Sequence, residues 1–293
     1  MKEKLLKIKW HLIAILTVAI WGTTFISTKL LIGSGLTPQE ILFLRFLMAY
    51  IGILFISPRK LWADNWRDEL WLFWGGVTGG SLYFLTENHA LELTQTTNVA
   101  FIVCSTPLLT ALLAKLFYPK EYKGRWLWIG SLVALLGVGF LVFNGNFVLK
   151  LSPLGDLLSF TAALMWAIYS LIIRKVEGRY STVFITRKIF FYGLLTILPV
   201  FLFSPWSFPL QRLMEPVVLG NLLFLGILAS LICFVVWNLV LKHLGTITSS
   251  NYLYLNPLFT TITSMIFLDE TFTWICLIGA AFVLTGVYLS GKK

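Results

Sequence analysis

"NPLFTTITSMIFLDE", residues 256–270, opens on a proline inside an apolar run and closes on two adjacent acids. "TPLLTALLAKLFYPKE", residues 106–121, follows the same plan but closes in a basic cluster. With Pro107 laid on Pro257, Gly76 falls on Gly226, Asn88 on Asn238 and Phe117 on Phe267. After a one-residue slip Glu121 meets Glu270, Gly130 meets Gly279 and Gly137 meets Gly286. Trp21 and Trp166, and Arg45 and Arg187, also hold corresponding places in the two halves. The chain is therefore expected to contain two copies of one unit, residues 1–145 and 153–293.

Each copy is apolar. The chain is 58 % hydrophobic and 12 % charged, with a mean hydropathy of +0.84. A soluble domain of this length needs about twice that share of charge to cover its surface. Reading from one polar break to the next gives ten segments, near 10–32, 39–57, 70–90, 94–118, 125–143, 153–174, 182–203, 215–241, 246–268 and 273–290. Each is close to the roughly 20 residues that cross about 30 Å of hydrocarbon as a helix. The runs are too long, and too poor in two-residue alternation, for membrane strands. The expected fold class is an all-α polytopic membrane protein of ten transmembrane helices.

The net charge of +10 invites a nucleic-acid reading, but the basic residues form short clusters between apolar runs rather than one patch. They read as anchors facing anionic lipid. With the amino terminus inside, the inner segments hold 17 Lys and Arg residues, and the outer loops only Lys150 and Arg212. Both termini are thus expected in the cytoplasm, because Lys and Arg are retained on that face. The opening "MKEKLLKIK" looks like the start of a leader, yet no small-residue cleavage site follows. It reads as the lead-in to a retained first helix.

Five helices are an odd number, so the second copy enters the membrane from the opposite side. That explains the two endings: the loop "YPKEYKGR" is basic and inside, while "LDET" has no basic residue and is outside. Inverted repeats are a physical recipe for opening one central site to either face in turn. The bland alternative is a duplication that only makes a stable bundle.

These stretches resemble the drug/metabolite transporter superfamily, in particular the bacterial ten-helix EamA type. The resemblance is carried by "AIWGTTFISTKLL", "PLLTALLAKLFYPKE" followed by "WIGSLVALLGVGFLV", "SPLGDLLSFTAALMWAIYSLIIRK", and "NPLFTTITSMIFLDET" followed by "LIGAAFVLTGVYL". It covers nearly the whole chain. It implies a carrier in the cytoplasmic membrane, with a cavity lined by helices 1, 3, 4, 6, 8 and 9 and with helices 5 and 10 at the periphery. It implies no particular cargo, since such carriers move amino acids and other metabolites. Glu87, in "YFLTENHALE", departs from the apolar or aromatic residue that relatives often carry there.

Glu87 shares a helix face with Gly76, Gly80 and Tyr83, at steps of three and four. Either it binds an amine-bearing substrate or a coupling proton, or it is a wet interfacial acid like Glu92. Trp21 and Trp166 sit mid-span and suit an aromatic wall; helix packing is the alternative. Tyr83, Tyr169, Trp237, Asn98 and Asn251 join them as candidate lining residues. Asn88 and Asn238 read as interhelical hydrogen-bonding groups. Arg45 and Arg187 read first as side chains that snorkel to the interface, then as structural ion pairs. Lys29 either pairs with Glu40 or snorkels, and Asp156 suits the first turn of a helix. Pro107 and Pro257 are expected to bend their helices and are the candidate hinges.

Several chemistries are disfavoured. "GGVTGG", residues 75–80, lacks the setting and the Lys-Ser/Thr ending of a phosphate loop; its small residues suit close helix approach instead. Cys104, Cys233 and Cys276 form no CxxC pair, so no metal or disulfide framework is expected. His11, His89 and His243 are scattered, which argues against an embedded enzyme. A channel or an inert scaffold remains the alternative to a carrier. The expected partners are a small-molecule substrate, the lipid bilayer and a coupling proton, with no cofactor and no nucleic acid.

Overall fold

The computed structural model describes residues 2–57, 60–119, 124–143, 152–268 and 273–292. The loops that distinguish the two copies by charge, at 120–123 and 269–272, lie outside the described residues, as do Arg59, Lys150 and Lys293. Every regular element among the described residues is helical. In an apolar medium the backbone must satisfy its own hydrogen bonds, and a helix does so within each segment.

Helix α1 spans Lys2–Gly33 and α2 spans Pro38–Leu54. The start of α2 is fixed by Glu40, which accepts the Thr37 N–H at 2.8 Å, and by Pro38 at a position that needs no N–H. Helix α3, Trp66–Gly76, begins at Asn65, whose side chain accepts the Asp68 N–H at 2.9 Å. It widens into a π-helical stretch at Val77–Leu82 and continues as α4, Tyr83–Leu93. Helices α5, Thr96–Val103, and α6, Thr106–Phe117, are parted by a turn at Cys104 and Ser105, and α7 is Arg125–Phe143.

The second half follows with α8, Pro153–Val176, α9, Thr182–Ile197, and the short α10, Val200–Phe203. A 3₁₀ turn at Leu210–Met214 leads to α11, Pro216–Leu223, which passes through a π-helical stretch at Phe224–Ile232 into α12, Cys233–Leu244. Helix α13, Thr246–Asn251, a 3₁₀ turn at Tyr252–Leu255 and α14, Asn256–Leu268, precede α15, Trp274–Ser290. The halves thus share their irregularities. With Pro107 on Pro257, the π stretch after Gly76 falls within that of α11–α12, and the break before α6 falls on the 3₁₀ turn before α14.

Six described helical stretches are long and apolar enough to cross a membrane: Ile8–Gly33, Asn98–Phe117, Arg125–Val142, Pro153–Val176, Thr182–Phe203 and Pro216–Leu244. Helices α2 and α15 have 17 residues each, and the stretch Trp66–Leu93 carries Asp68, Glu69, Glu87 and Glu92. The chain is a multi-pass helical membrane protein.

Two polar clusters lie at opposite ends of the bundle. At one, Glu40 Oε1 accepts the N–H groups of Ser207 at 2.6 Å and Phe208 at 3.0 Å, Asn88 donates to the Pro38 carbonyl, and Lys29 donates to the Leu91 carbonyl. At the other, Asp68 pairs with Arg179 and accepts the Tyr180 hydroxyl at 2.8 Å, Glu69 pairs with Lys188, and Arg187 donates to the Lys60 carbonyl. Asp68 and Asn88 are about 30 Å apart along one helical path at 1.5 Å per residue, the thickness of a hydrocarbon core.

Glycines set the closest approaches. A Cβ on Gly76 would meet Tyr192 Cβ at 2.4 Å, and one on Gly79 would meet the Tyr169 ring at 2.2 Å. Between α7 and α15, a Cβ on Gly137 would lie 2.5 Å from Val283 N, and one on Gly286 would lie 2.4 Å from Ala134 N. The glycines that the duplication sets in register therefore pack the last helix of each copy on the other, backbone to backbone.

Candidate functional site: a buried aromatic cavity with paired charges

The central cavity lies between α1, α2, α4, α5, α8, α12 and the start of α14. Trp21, Tyr83, Glu87 and Trp166 border it, together with Arg45, Phe84, Phe234, Thr106 and Asn256. No residue of α7 or α15 is among its borders. Its free volume is about 40 Å³, room for one or two water molecules rather than for a metabolite.

Aromatic rings form its walls. Trp21 and Trp166 meet edge to face with centroids 5.2 Å apart, Tyr83 lies 4.8 Å from Trp166, and Phe234 lies 5.6 Å from Trp166. The Trp21 indole donates to the Ala229 carbonyl at 2.9 Å. Ala229 sits in the π-helical stretch, where the ordinary backbone register is broken and carbonyls become free for side chains. The irregular turn thereby fixes the orientation of the tryptophan ring.

Two opposite charges share this wall. The Tyr83 hydroxyl donates to Glu87 Oε1 at 2.6 Å, one turn along the same helix. Arg45 donates from Nε to Ser230 Oγ at 2.9 Å, and its guanidinium carbon stands 4.0 Å from the Phe84 ring centroid. Glu87 and Arg45 are 6 % and 2 % exposed, and they act on each other electrostatically without a direct ion pair between them. The snorkelling read first for Arg45 is therefore corrected: α2 is covered on this side by Phe84 and the α12 region, which turns the side chain inward. Glu87 is buried and borders the cavity, one residue before Asn88 of the polar cluster at that end of the bundle.

The remaining candidates lie elsewhere. Tyr169 does not border the cavity; its ring fills the space beside Gly79 and its hydroxyl donates to Asn238 Oδ1 at 2.8 Å. Trp237 is fully buried behind Trp21, centroids 5.1 Å apart. Asn98 is buried and donates to Thr94 Oγ1 at 3.4 Å, away from the cavity. Asn251 borders a separate hollow with His11, Tyr252 and Lys292. Arg187 is tied to the Lys60 carbonyl at the other end of the bundle, so the matched arginines do different work. Pro107 and Pro257 sit in the first turns of α6 and α14, just after the interruptions, where a missing N–H costs nothing.

The residue before each duplicated proline was missed by sequence reasoning. Thr106 and Asn256 occupy matching positions, both border the cavity, and each starts a helix. The first residues of α6 and α14 are thus brought to one cavity, and the Asn256 N–H is already spent on the Leu253 carbonyl. The Asn256 Oδ1 and Trp166 Nε1 atoms are buried there without a hydrogen-bond partner among the described residues. In sequence, the signal was the repeat itself: the position before a repeated proline recurs wherever two halves build one site. The same register sets Glu87 on Trp237, so the acid has no counterpart in the other half.

A multi-pass helical bundle with duplicated irregular helices around a small polar and aromatic cavity is the build of a membrane transporter. The sequence model of the EamA-like transporter family matches residues 8–143 and again 153–291, and the chain belongs to that family. An uncharacterized transporter of Archaeoglobus fulgidus is 28 % identical over 97 % of this chain and 98 % of its own. A protein of Escherichia coli called a probable amino-acid metabolite efflux pump is 23 % identical, covering 95 % and 93 %. A probable terminal-alkyne amino-acid exporter of Streptantibioticus cattleyicolor is 24 % identical, covering 99 % and 95 %. A crystal structure described only as that of a protein shares the fold, with a TM-score of 0.75, 21 % identity and 97 % of each chain covered. The drug/metabolite transporter resemblance read from the sequence thus stands, and the family and relatives point to transport rather than enzymatic activity.

Proposed function

We propose that this chain is a secondary carrier that exports or exchanges a small amine-bearing, zwitterionic metabolite across the bacterial cytoplasmic membrane by alternating access. The observation that carries the reading is that Arg45 and Glu87 border one buried aromatic cavity. A carboxylate is recognised by Arg45. The ammonium end is received by Glu87 and by the faces of Trp21 and Trp166. Glu87 also serves as the group that takes a coupling proton when the substrate leaves. The names of the two exporter relatives agree with the amino-acid class.

The units are residues 1–145 and 153–293, five crossings each and mutually inverted, with both termini cytoplasmic. In support, the stretch Trp66–Leu93 runs from one polar cluster to the other, from Asp68 to Asn88, and the irregularities recur at matching positions. With free space near 40 Å³ the cavity must widen to admit cargo. The interruptions ahead of Pro107 and Pro257 are the hinges for that movement.

Flux in proteoliposomes under an imposed pH gradient tests the reading, with wild type and Glu87→Gln compared on a panel of zwitterions, amines and carboxylates. The expected result is saturable zwitterion flux driven by the gradient and lost in the variant. Flux that never saturates makes the protein a channel, and no flux with any solute makes it a scaffold.

A further inference from the structure

A second cavity, unconnected with the cargo site, opens as a groove between α3, α6 and α8. Its volume is about 650 Å³, more than ten times that of the central cavity by the same measure. Trp71, Trp74 and Thr78 form one wall, Leu113 and Phe117 the other, and Ile168 the floor. The Thr78 hydroxyl is spent on the Trp74 carbonyl at 2.7 Å, so the wall offers an occupant no unpaired hydroxyl there. Such a surface takes an apolar chain.

Length and charge identify the chain. From Trp71 to Leu82, the two extremes along α3 and the turn after it, the groove runs about 16 Å at 1.5 Å per residue. That is about half of a 30 Å hydrocarbon core, one leaflet deep. Lys175 closes one end, its Nζ standing 5.2 Å from the Tyr118 centroid and 5.9 Å from that of Trp71. The Arg174 guanidinium lies 3.9 Å from the same Tyr118 ring. This is the end of the bundle where Asp68 and Arg179 pair, the end that the Lys and Arg distribution assigns to the cytoplasm. Aromatic rings level with a cation, at the mouth of a one-leaflet apolar groove, match a phospholipid in charge, depth and polarity.

We propose that the groove holds an acyl chain of an anionic phospholipid of the cytoplasmic leaflet, with the lipid phosphate on Lys175. A zwitterionic lipid fits the apolar part equally well but gains less from the cation. One lysine near an anionic surface accounts for about a fivefold preference.

The test exchanges purified protein in detergent against mixed micelles holding equal phosphatidylglycerol and phosphatidylcholine, then counts bound lipid by native mass spectrometry. Wild type is expected to retain phosphatidylglycerol about fivefold over phosphatidylcholine. Lys175→Gln is expected to bring the ratio near one, and Ile168→Trp, which fills the floor, to lower retention of both lipids. Free glycerol phosphate is expected not to compete, since it lacks the chain. Equal retention by wild type overturns the proposal. So does a preference that survives Lys175→Gln, undiminished retention of both lipids by Ile168→Trp, or a dimer that covers this face and excludes lipid. Helical circular dichroism and a single elution peak verify each variant, and should Lys175→Gln not fold, Ile168→Trp decides alone.

Discussion

Tyr83 donates a hydrogen bond from its hydroxyl to Glu87 Oε1 at 2.6 Å, in a cavity that also holds the Arg45 guanidinium. The carboxylate is held in place by its own helix, while the cation comes from α2 and is steadied by Ser230 and the Phe84 ring. The proposed zwitterionic cargo would place one charge against each.

Replacing Glu87 by Gln keeps the shape and removes the charge. A charge-assisted hydrogen bond contributes about 1.5–3 kcal/mol, so initial rates for amine-bearing solutes should fall about tenfold to a hundredfold. Tyr83→Phe removes the donor to that carboxylate and should cost about tenfold. Undiminished, gradient-driven flux in Glu87→Gln would remove the acid from the mechanism.

Arg45→Gln separates the two ends of the cargo. The KM of carboxylate-bearing solutes should rise about tenfold or more, while amines without a carboxylate change little. Competition assays with matched pairs, an amino acid against its decarboxylated amine, read this directly. An equal loss for both members would mean that Arg45 only supports the fold.

Trp21→Phe leaves the Ala229 carbonyl buried without its donor. The expected loss of stability is about 1–3 kcal/mol, seen as a lower midpoint of thermal unfolding in detergent. An unchanged midpoint would show that the π-helical stretch finds another donor, and the account of the ring's orientation would fail.

Gly137→Leu and Gly286→Leu should prevent α7 and α15 from closing on each other, because even a Cβ would lie within 2.5 Å of the facing backbone. Low yield or aggregation is the expected readout. Gly220→Ala is the contrast: nothing lies within 4 Å of its added Cβ, and the helix should gain about 0.5–1 kcal/mol.

Lys188→Met leaves the partly exposed Glu69 carboxylate with only the Tyr192 hydroxyl and the Ala63 N–H, and should cost about 1–3 kcal/mol. Glu69→Gln added to it should recover part of that loss. A double-mutant cycle on thermal midpoints gives the coupling, and strict additivity would show that the pair contributes nothing.

How much of this was legible beforehand differs by element. The duplication was open to direct reading, since glycines and prolines mark backbone events that recur with the copied sequence. Trp21 and Trp166 could be assigned to the interior because they stand mid-span, away from the belts where interfacial tryptophans collect. Asn98 and Asn251 could not be sorted from Asn256, because all three lie in helices next to breaks and only the rotation after each break decides which faces inward. Tyr169 and Trp237 occupy plausible lining positions, yet Gly79 in the π-helical stretch after α3 leaves room that one ring fills, and Trp21 covers the other.

The sequence by itself determined the medium, the helical class and the twofold plan. Those follow from hydrophobic length, charge distribution and repetition, which are properties of the chain taken in order. Tertiary structure decided that Arg45 turns inward to share a cavity with Glu87, whereas its counterpart Arg187 ties the Lys60 carbonyl at one end of the bundle. Arg45 is the eighth residue of α2 and Arg187 the sixth of α9. What separates them is the neighbour each helix meets, and that is fixed only when all the helices pack together.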